Sequence, residues 1–233
     1  MTCFMSLQQY TRGEKIMNEL KMVIFDVDGT LLNTEFLWEK AWADIAEKYH
    51  VPQFSAVFHK VVGISGSDVT KVLDENLGDI ENREELLDAA RKLGTKYLDE
   101  NIELMPGVLE LLDTLEKLHI RKAVATTTNR EATMKRLTKM GIIDRFEYIL
   151  CGDEVTKRKP SPEIYLKVLK AVHCDPEDVL VLEDTGYGVQ SAYEANAKVI
   201  MIPSINPPKE IDRENAYKIV NSLYDVQKMI EES

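Results

Sequence analysis

Lys21-Met22-Val23-Ile24-Phe25-Asp26-Val27-Asp28-Gly29-Thr30 is a short apolar run that ends in two carboxylates and a glycine. Val23 to Phe25 carries no polar residue, the composition of a strand buried on both faces in a parallel sheet. Side chains two apart on extended backbone point the same way. Asp26 and Asp28 therefore share one small volume past the strand's C-terminal end, the edge at which open α/β sheets bind ligands. Gly29 lets the backbone turn sharply there. Two ionised carboxylates this close repel, and either a shared proton or a bound cation relieves them. A turn is the competing reading, since Asp-Gly is a frequent turn pair; taken alone, the stretch supports both equally.

The rest of the chain tips the balance. Thr34 to Tyr49 has helical spacing through Leu37, Ala41 and Ile45, with Trp38 and Trp42 on an adjoining stripe that reads as core. Pro52 breaks that pattern. Helices follow over Phe54 to Val62, stopped by Gly63-Ile64-Ser65-Gly66, and over Ser67 to Leu77. Asn82 is placed to cap a fourth helix reaching about Asp99, with Glu84 and Glu85 in its first turn. No strand is expected between Thr34 and Glu103.

Beyond Pro106-Gly107 the chain alternates. Helices are expected over Val108 to Leu118, Arg130 to Met140 (closed by Gly141), Ser161-Pro162-Glu163 to Val172, Gly186 to Ala195 and Tyr224 to Glu231. Strands are expected over Lys122 to Ala125, Phe146 to Leu150, Val179 to Leu182 and Lys198 to Ile202, with a short last one at Val220. Pro203 to Pro208 reads as a surface loop. Alternating strands and helices assemble as a doubly wound parallel sheet, an α/β fold with an all-helical insertion. The expected organisation is an N-terminal extension over 1–20, a core over 21–33 and 104–233, and a helical cap over 34–103. A starting helix over Glu14 to Leu20 belongs to the extension.

The 233 residues, 44% hydrophobic and 30% charged, support a sizeable core. A formal net charge of -11 argues against nucleic acid or an anionic membrane as a partner, though not against a small phosphorylated substrate. Cys3, Cys151 and Cys174 are too few and scattered for a disulfide framework or a zinc site, which points to a reducing cytoplasm. No apolar run approaches membrane-spanning length, and the first 20 residues lack the apolar centre of a secretory signal. The four histidines, 50, 59, 119 and 173, have no metal or triad spacing and read as surface or structural.

Three strand ends carry polar groups: Asp26 with Asp28, Thr126, and Glu183 with Asp184. In a parallel sheet they share one edge, and Lys157-Arg158-Lys159-Pro160 can bring a cation to it. Each has an ordinary reading alone: a helix cap for Thr126, turn residues for Glu183 and Asp184, a solvated face for the lysines. Their coincidence at strand ends is not ordinary.

With Asp26-Val27-Asp28-Gly29-Thr30, Thr126, Lys159 in Lys-Pro-Ser-Pro, and Glu183-Asp184, the chain resembles the haloacid dehalogenase superfamily from Lys21 to Ile230. It is closest in pattern to the phosphatases and β-phosphoglucomutases with a helical cap after the first strand. The resemblance implies an Mg²⁺-dependent phosphatase acting on a small phosphorylated metabolite. Asp26 would be the nucleophile and Asp28 the acid and later the base. Thr126 would bond a phosphoryl oxygen and Lys159 neutralise charge beside Asp26. Asp26, the Asp28 carbonyl, Asp184 and Glu183 would hold the metal, and Gly29, Thr127 and Asn129 would contact substrate.

Within this resemblance a dehalogenase would need neither Asp28 nor Mg²⁺. A sugar-phosphate mutase is the nearer rival. The cap histidine of those mutases falls on Trp38 here, and their cap arginine after a Gly-x-Ser turn falls on Gly66. Both departures favour a phosphatase. A signalling receiver would be shorter and lack the insertion, and a catalytically dead binding module would lack one of the catalytic residues, all of which are present.

Overall fold

The computed structural model of the protein describes residues 20–64, 67–78 and 80–233. The expected extension over 1–19 with its starting helix, Cys3, and the Ser65-Gly66 turn lie outside these residues. Six parallel strands form one sheet in the order β3-β2-β1-β4-β5-β6: β1 Met22–Phe25, β2 Arg121–Ala125, β3 Tyr148–Leu150, β4 Val179–Glu183, β5 Lys198–Met201 and β6 Lys218–Ile219. Chain order runs outward from β1 to one edge and then returns past it, so β1 sits at the switch point. Phe25 is in register with Val124 of β2 and with Leu182 of β4. The three chemistry-bearing strand ends are thereby neighbours.

The apolar strands bury both faces. Val23, Phe25, Val124, Leu180 and Leu182 pack on helices α5 (Val108–Lys117) and α10 (Leu223–Glu231) through Leu111, Leu112, Val226 and Ile230. Met22, Ile24, Ala123, Val181 and Val199 pack on α7 (Glu163–Val172) and α8 (Gly186–Glu194) through Ile164, Val168, Val189 and Ala192. Each fully buried large aliphatic contributes about 1.5–3 kcal/mol, which makes the sheet the rigid platform for its loops. Helix α6 (Arg130–Lys139) follows β2, and a short α9 (Glu210–Asn215) precedes β6.

Residues 34–101 hold only helices among the described residues: α1 Thr34–Lys48, α2 Pro52–Val61, α3 Ser67–Leu77 and α4 Arg83–Asn101. They have their own core, in which Trp42 stacks on Phe54 at 4.4 Å and Ile45, Val57, Leu77 and Leu86 are buried. The chain enters and leaves this insertion along paired linkers. Leu32 bridges Leu104, the Asn33 N–H donates to the Glu103 carbonyl at 3.1 Å, and the Met105 N–H donates to Leu31 at 2.9 Å.

Several local expectations change. Pro52 opens α2 at its first turn, where its missing N–H costs nothing. Asn82 precedes α4 but its side chain makes no cap bond. Pro162 takes the cap position of α7, while Ser161 Oγ accepts from the Glu163 N–H at 3.4 Å. Phe146 and Val220 fall outside β3 and β6, and α9, too short to show a period, has no counterpart in the sequence reading. His50, His119 and His173 adopt left-handed φ of 57°, 57° and 53° just past helix ends, consistent with structural roles.

Candidate active site

Asp26 is buried at the end of β1 and faces a buried ammonium. Lys159 Nζ donates to Asp26 Oδ1 at 2.6 Å, to Glu183 Oε1 at 2.6 Å and to the Ala125 carbonyl at 3.0 Å. All three ammonium donors are thus taken. Glu183 is equally occupied. Its Oε1 also accepts from the Tyr165 hydroxyl at 2.6 Å, and its Oε2 from the Asp184 N–H at 3.2 Å and the Thr185 N–H and Oγ1 at 3.5 and 3.4 Å. A Cβ at Gly188 would lie 1.9 Å from the Glu183 carboxyl carbon, so only glycine admits that carboxylate against α8.

Asp184 stands beside this pair. Ser204 Oγ donates to its Oδ2 at 2.5 Å. Gly29, at φ +83°, brings its backbone so close that a Cβ would sit 2.0 Å from the same oxygen. Burial pushes Asp26 well above the usual carboxylate range, with Lys159 opposing and Glu183 and Asp28 adding. Burial raises Asp184 in the same way, reinforced by Asp26 and Glu183. Burial works against the Lys159 ammonium, but Asp26 and Glu183 outweigh it and keep it firmly protonated.

Carboxylate oxygens of Asp26, Glu183 and Asp184 all lie within 4.8 Å of one another. One ammonium among three buried acids leaves positive charge in deficit. No protein donor in the described residues reaches Asp26 Oδ2 or Asp184 Oδ1. This donor set of hard oxygens fits a divalent cation such as Mg²⁺ and does not suit zinc, which favours nitrogen and sulfur.

Asp28 turns toward α6. Arg136 Nη1 donates to its Oδ1 at 3.0 Å, and Thr128 Oγ1 and Thr126 Oγ1 donate to its Oδ2 at 2.6 and 3.3 Å. Thr126 is fully buried behind Asp28 and also accepts the Thr128 N–H at 3.1 Å. It does not line the cleft above Asp26, whereas Thr127, Thr128 and Asn129 do. Asn129 also caps α6, accepting from the Ala132 N–H at 2.9 Å. Gly29 does not line the cleft either.

The cleft, about 440 Å³, lies between the sheet edge and the helical insertion. The insertion supplies Trp38, Phe58, Val62 and Ile64 and one acid, Glu35. The Glu35 carboxyl is pushed up to about 7 by burial, with Asp28 adding and Arg136 opposing. Glu35, Arg136, Tyr165 and Ser204 were not singled out from the sequence. An acid in a first helical turn and an arginine within a helix both have ordinary local explanations, and only Tyr165, four residues past the Lys-Pro-Ser run, lies near a motif.

Comparison with known proteins gives a consistent picture. The family model described as haloacid dehalogenase-like hydrolase matches residues 23–202. The phosphorylated carbohydrates phosphatase of Thermotoga maritima is 30% identical over 203 residues, covering 86% of this chain and 94% of its own. Protein CbbY of Rhodobacter capsulatus is 32% identical over 198 residues, 80% and 86% of the two chains. A solved Thermotoga maritima structure, assigned as a β-phosphoglucomutase, superposes with a TM-score of 0.73 at 28% identity, covering 91% of this chain and 99% of that one.

Proposed function

The chain belongs to the haloacid dehalogenase-like hydrolases, and from that premise we propose that it is an Mg²⁺-dependent phosphatase that cleaves a small phosphate monoester through a phosphoaspartate. One observation carries the reading: a buried ammonium, Lys159, is fixed at 2.6 Å from the strand-end carboxylate Asp26 and cannot turn away, because Glu183 and the Ala125 carbonyl hold its other protons. Such a fixed positive charge is what a carboxylate nucleophile needs when it meets a phosphate dianion.

Asp26 attacks phosphorus and the ester P–O bond breaks. Asp28 gives its proton to the leaving oxygen. Asp28 then takes a proton from water, the water oxygen attacks phosphorus, and the bond to Asp26 breaks, returning both carboxyl groups to their starting state. Asp26, Asp184 and the Asp28 carbonyl would hold Mg²⁺, which supplies charge neutralisation at the phosphoryl oxygens. Glu183 fits a positioning role through Lys159 better than a place among the ligands, since every bond it makes is already directed elsewhere. Thr127 and Thr128 are better placed than Thr126 to meet a phosphoryl oxygen. The names of the relatives make a sugar phosphate or similar metabolite the favoured substrate class.

Trp38 supports hydrolysis over mutase chemistry. Its ring occupies the cleft wall and packs so tightly on Gly94 that a Cβ there would lie 2.1 Å from it, and an indole relays no proton to an acid. The test is release of phosphate from p-nitrophenyl phosphate with Mg²⁺, lost in Asp26→Asn and in excess EDTA. Full activity in either condition refutes the mechanism. Incubation with β-glucose 1-phosphate and a trace of its bisphosphate separates the rival: glucose 6-phosphate appearing faster than inorganic phosphate would make the protein a mutase.

A further inference from the structure

Four acids line the cleft, Asp26, Asp28, Glu35 and Asp184, against three cations, Arg136, Arg158 and Lys159. Two of the three cations are already committed. Lys159 is held by Asp26 and Glu183, and Arg136 by Asp28. Arg158 is different: it is exposed at the cleft wall, and among the described residues its guanidinium makes no ion pair or hydrogen bond. The acids nearest in sequence offer it nothing. Glu154 pairs with Arg130, and Asp153 accepts the Arg130 N–H at 3.0 Å.

Neighbouring side chains diverge here, Lys159 inward to Asp26 and Arg158 outward to the mouth of the same cleft. Among the described residues the insertion brings no cation to the cleft: its lining residues there are Glu35, Gly63 and the apolar Trp38, Phe58, Val61, Val62 and Ile64. In a protein of net charge -11, an unpaired guanidinium next to the nucleophile's lysine is a specific feature of the site. A guanidinium presents a planar fork of donors that matches a carboxylate or a phosphate with two parallel bonds.

Resting on the phosphatase reading above, we propose that Arg158 is a specificity-determining residue that holds a second anionic group on the alcohol portion of the substrate. The preferred substrate is then a phosphate monoester carrying a further carboxylate or phosphate. A second anion is otherwise disfavoured by the four acids of the cleft. Among the described residues that line the cleft, Arg158 is the one cation not already paired with a protein acid.

The experiment uses two matched pairs of esters as competitors of p-nitrophenyl phosphate turnover in Mg²⁺: 3-phosphoglycerate with glycerol 3-phosphate, and glucose 1,6-bisphosphate with glucose 6-phosphate. The wild-type protein should bind the more anionic member of at least one pair about tenfold more tightly, and the pair that responds tells carboxylate from phosphate. In Arg158→Gln that preference should shrink about fivefold, and Arg158→Lys should restore part of it. Equal inhibition by both members of each pair, or an unchanged preference in Arg158→Gln, overturns the proposal while leaving the phosphatase intact. Absence of any p-nitrophenyl phosphate turnover counts instead against the phosphatase reading, and direct calorimetric binding of the same four esters then decides the role of Arg158.

Discussion

Arg136 Nη1 lies 3.0 Å from Asp28 Oδ1, and this pair ties helix α6 to the turn that follows β1. Both side chains are largely withdrawn from water, at 17% and 18% exposure, so the pair is more than a screened surface contact. Thr128 fixes the other carboxylate oxygen at 2.6 Å. The direction of the Asp28 side chain is thus set by α6 and the loop that leads into it from β2, and not by β1.

Arg136→Met should lower kcat about ten- to a hundredfold with a smaller change in KM, because it mispositions the proposed acid and base, which affects the chemical step most. It leaves the partly buried Asp28 side chain with only the Thr128 and Thr126 hydroxyls as partners, at a cost of about 1–3 kcal/mol of stability. Arg136→Lys should recover part of kcat. Steady-state kinetics of a folded Arg136→Met protein with wild-type kcat would show that Asp28 needs no such tether.

Asp184→Ala removes a charged oxygen from the acidic cluster and should weaken Mg²⁺ binding at least tenfold. Ser204 loses its acceptor in the same variant. Calorimetric titration of Mg²⁺ is the measurement, and an affinity equal to wild type would exclude Asp184 as a ligand.

Glu35 gives a pH signature. Its carboxyl holds a proton up to about pH 7 in the folded protein but, with an ordinary value of 4.5, only to that lower pH when unfolded. Between these values the folded state binds more protons, so stability falls as pH rises through the window. Glu35→Gln removes this loss and should make the protein more stable than wild type at pH 7.5, by on the order of 1–3 kcal/mol. At pH 4 the two should be nearly equal. Urea unfolding at both pH values is the check; a constant difference between the two proteins would contradict it.

The insertion is expected to move as a cap about the linkers near Asn33 and Met105-Pro106, closing over a bound phosphate ester. Away from those linkers, Asn206 Nδ2 donates to the His59 carbonyl at 2.8 Å and joins the loop after β5 to the last turn of α2. Asn206→Ala should therefore speed amide exchange in α2 severalfold, and trifluoromagnesate with Mg²⁺ should slow it in the wild type. Identical exchange in all three states would mean that the insertion does not act as a lid.

The strands, the helical insertion and the polar strand ends were legible because they are local. Met22–Phe25 and the run from Val179 to Leu182 announce buried strands by unbroken apolar composition, and a parallel sheet has only one edge on which Asp26, Asp28, Glu183 and Asp184 can meet. A cation before the Ser161-Pro162 helix start was legible from the Lys157-Arg158-Lys159-Pro160 run, and the family resemblance singled out Lys159 within it. What the sequence left open was direction and partnership. Thr126 shares a strand end with the cleft yet points behind Asp28, since its hydroxyl finds Thr128 and Asp28 there. Arg136 reaches Asp28 across 108 residues, and Tyr165 reaches Glu183 only because α7 packs on the sheet face beneath it. Glu35 is pushed up to about 7 chiefly by burial of α1's first turn against the cleft, with Asp28 adding. Periodicity and motif spacing record which residues a strand or helix contains. Which of their polar atoms meet is decided by how the helices pack on the sheet, where a buried donor left without an acceptor is costly.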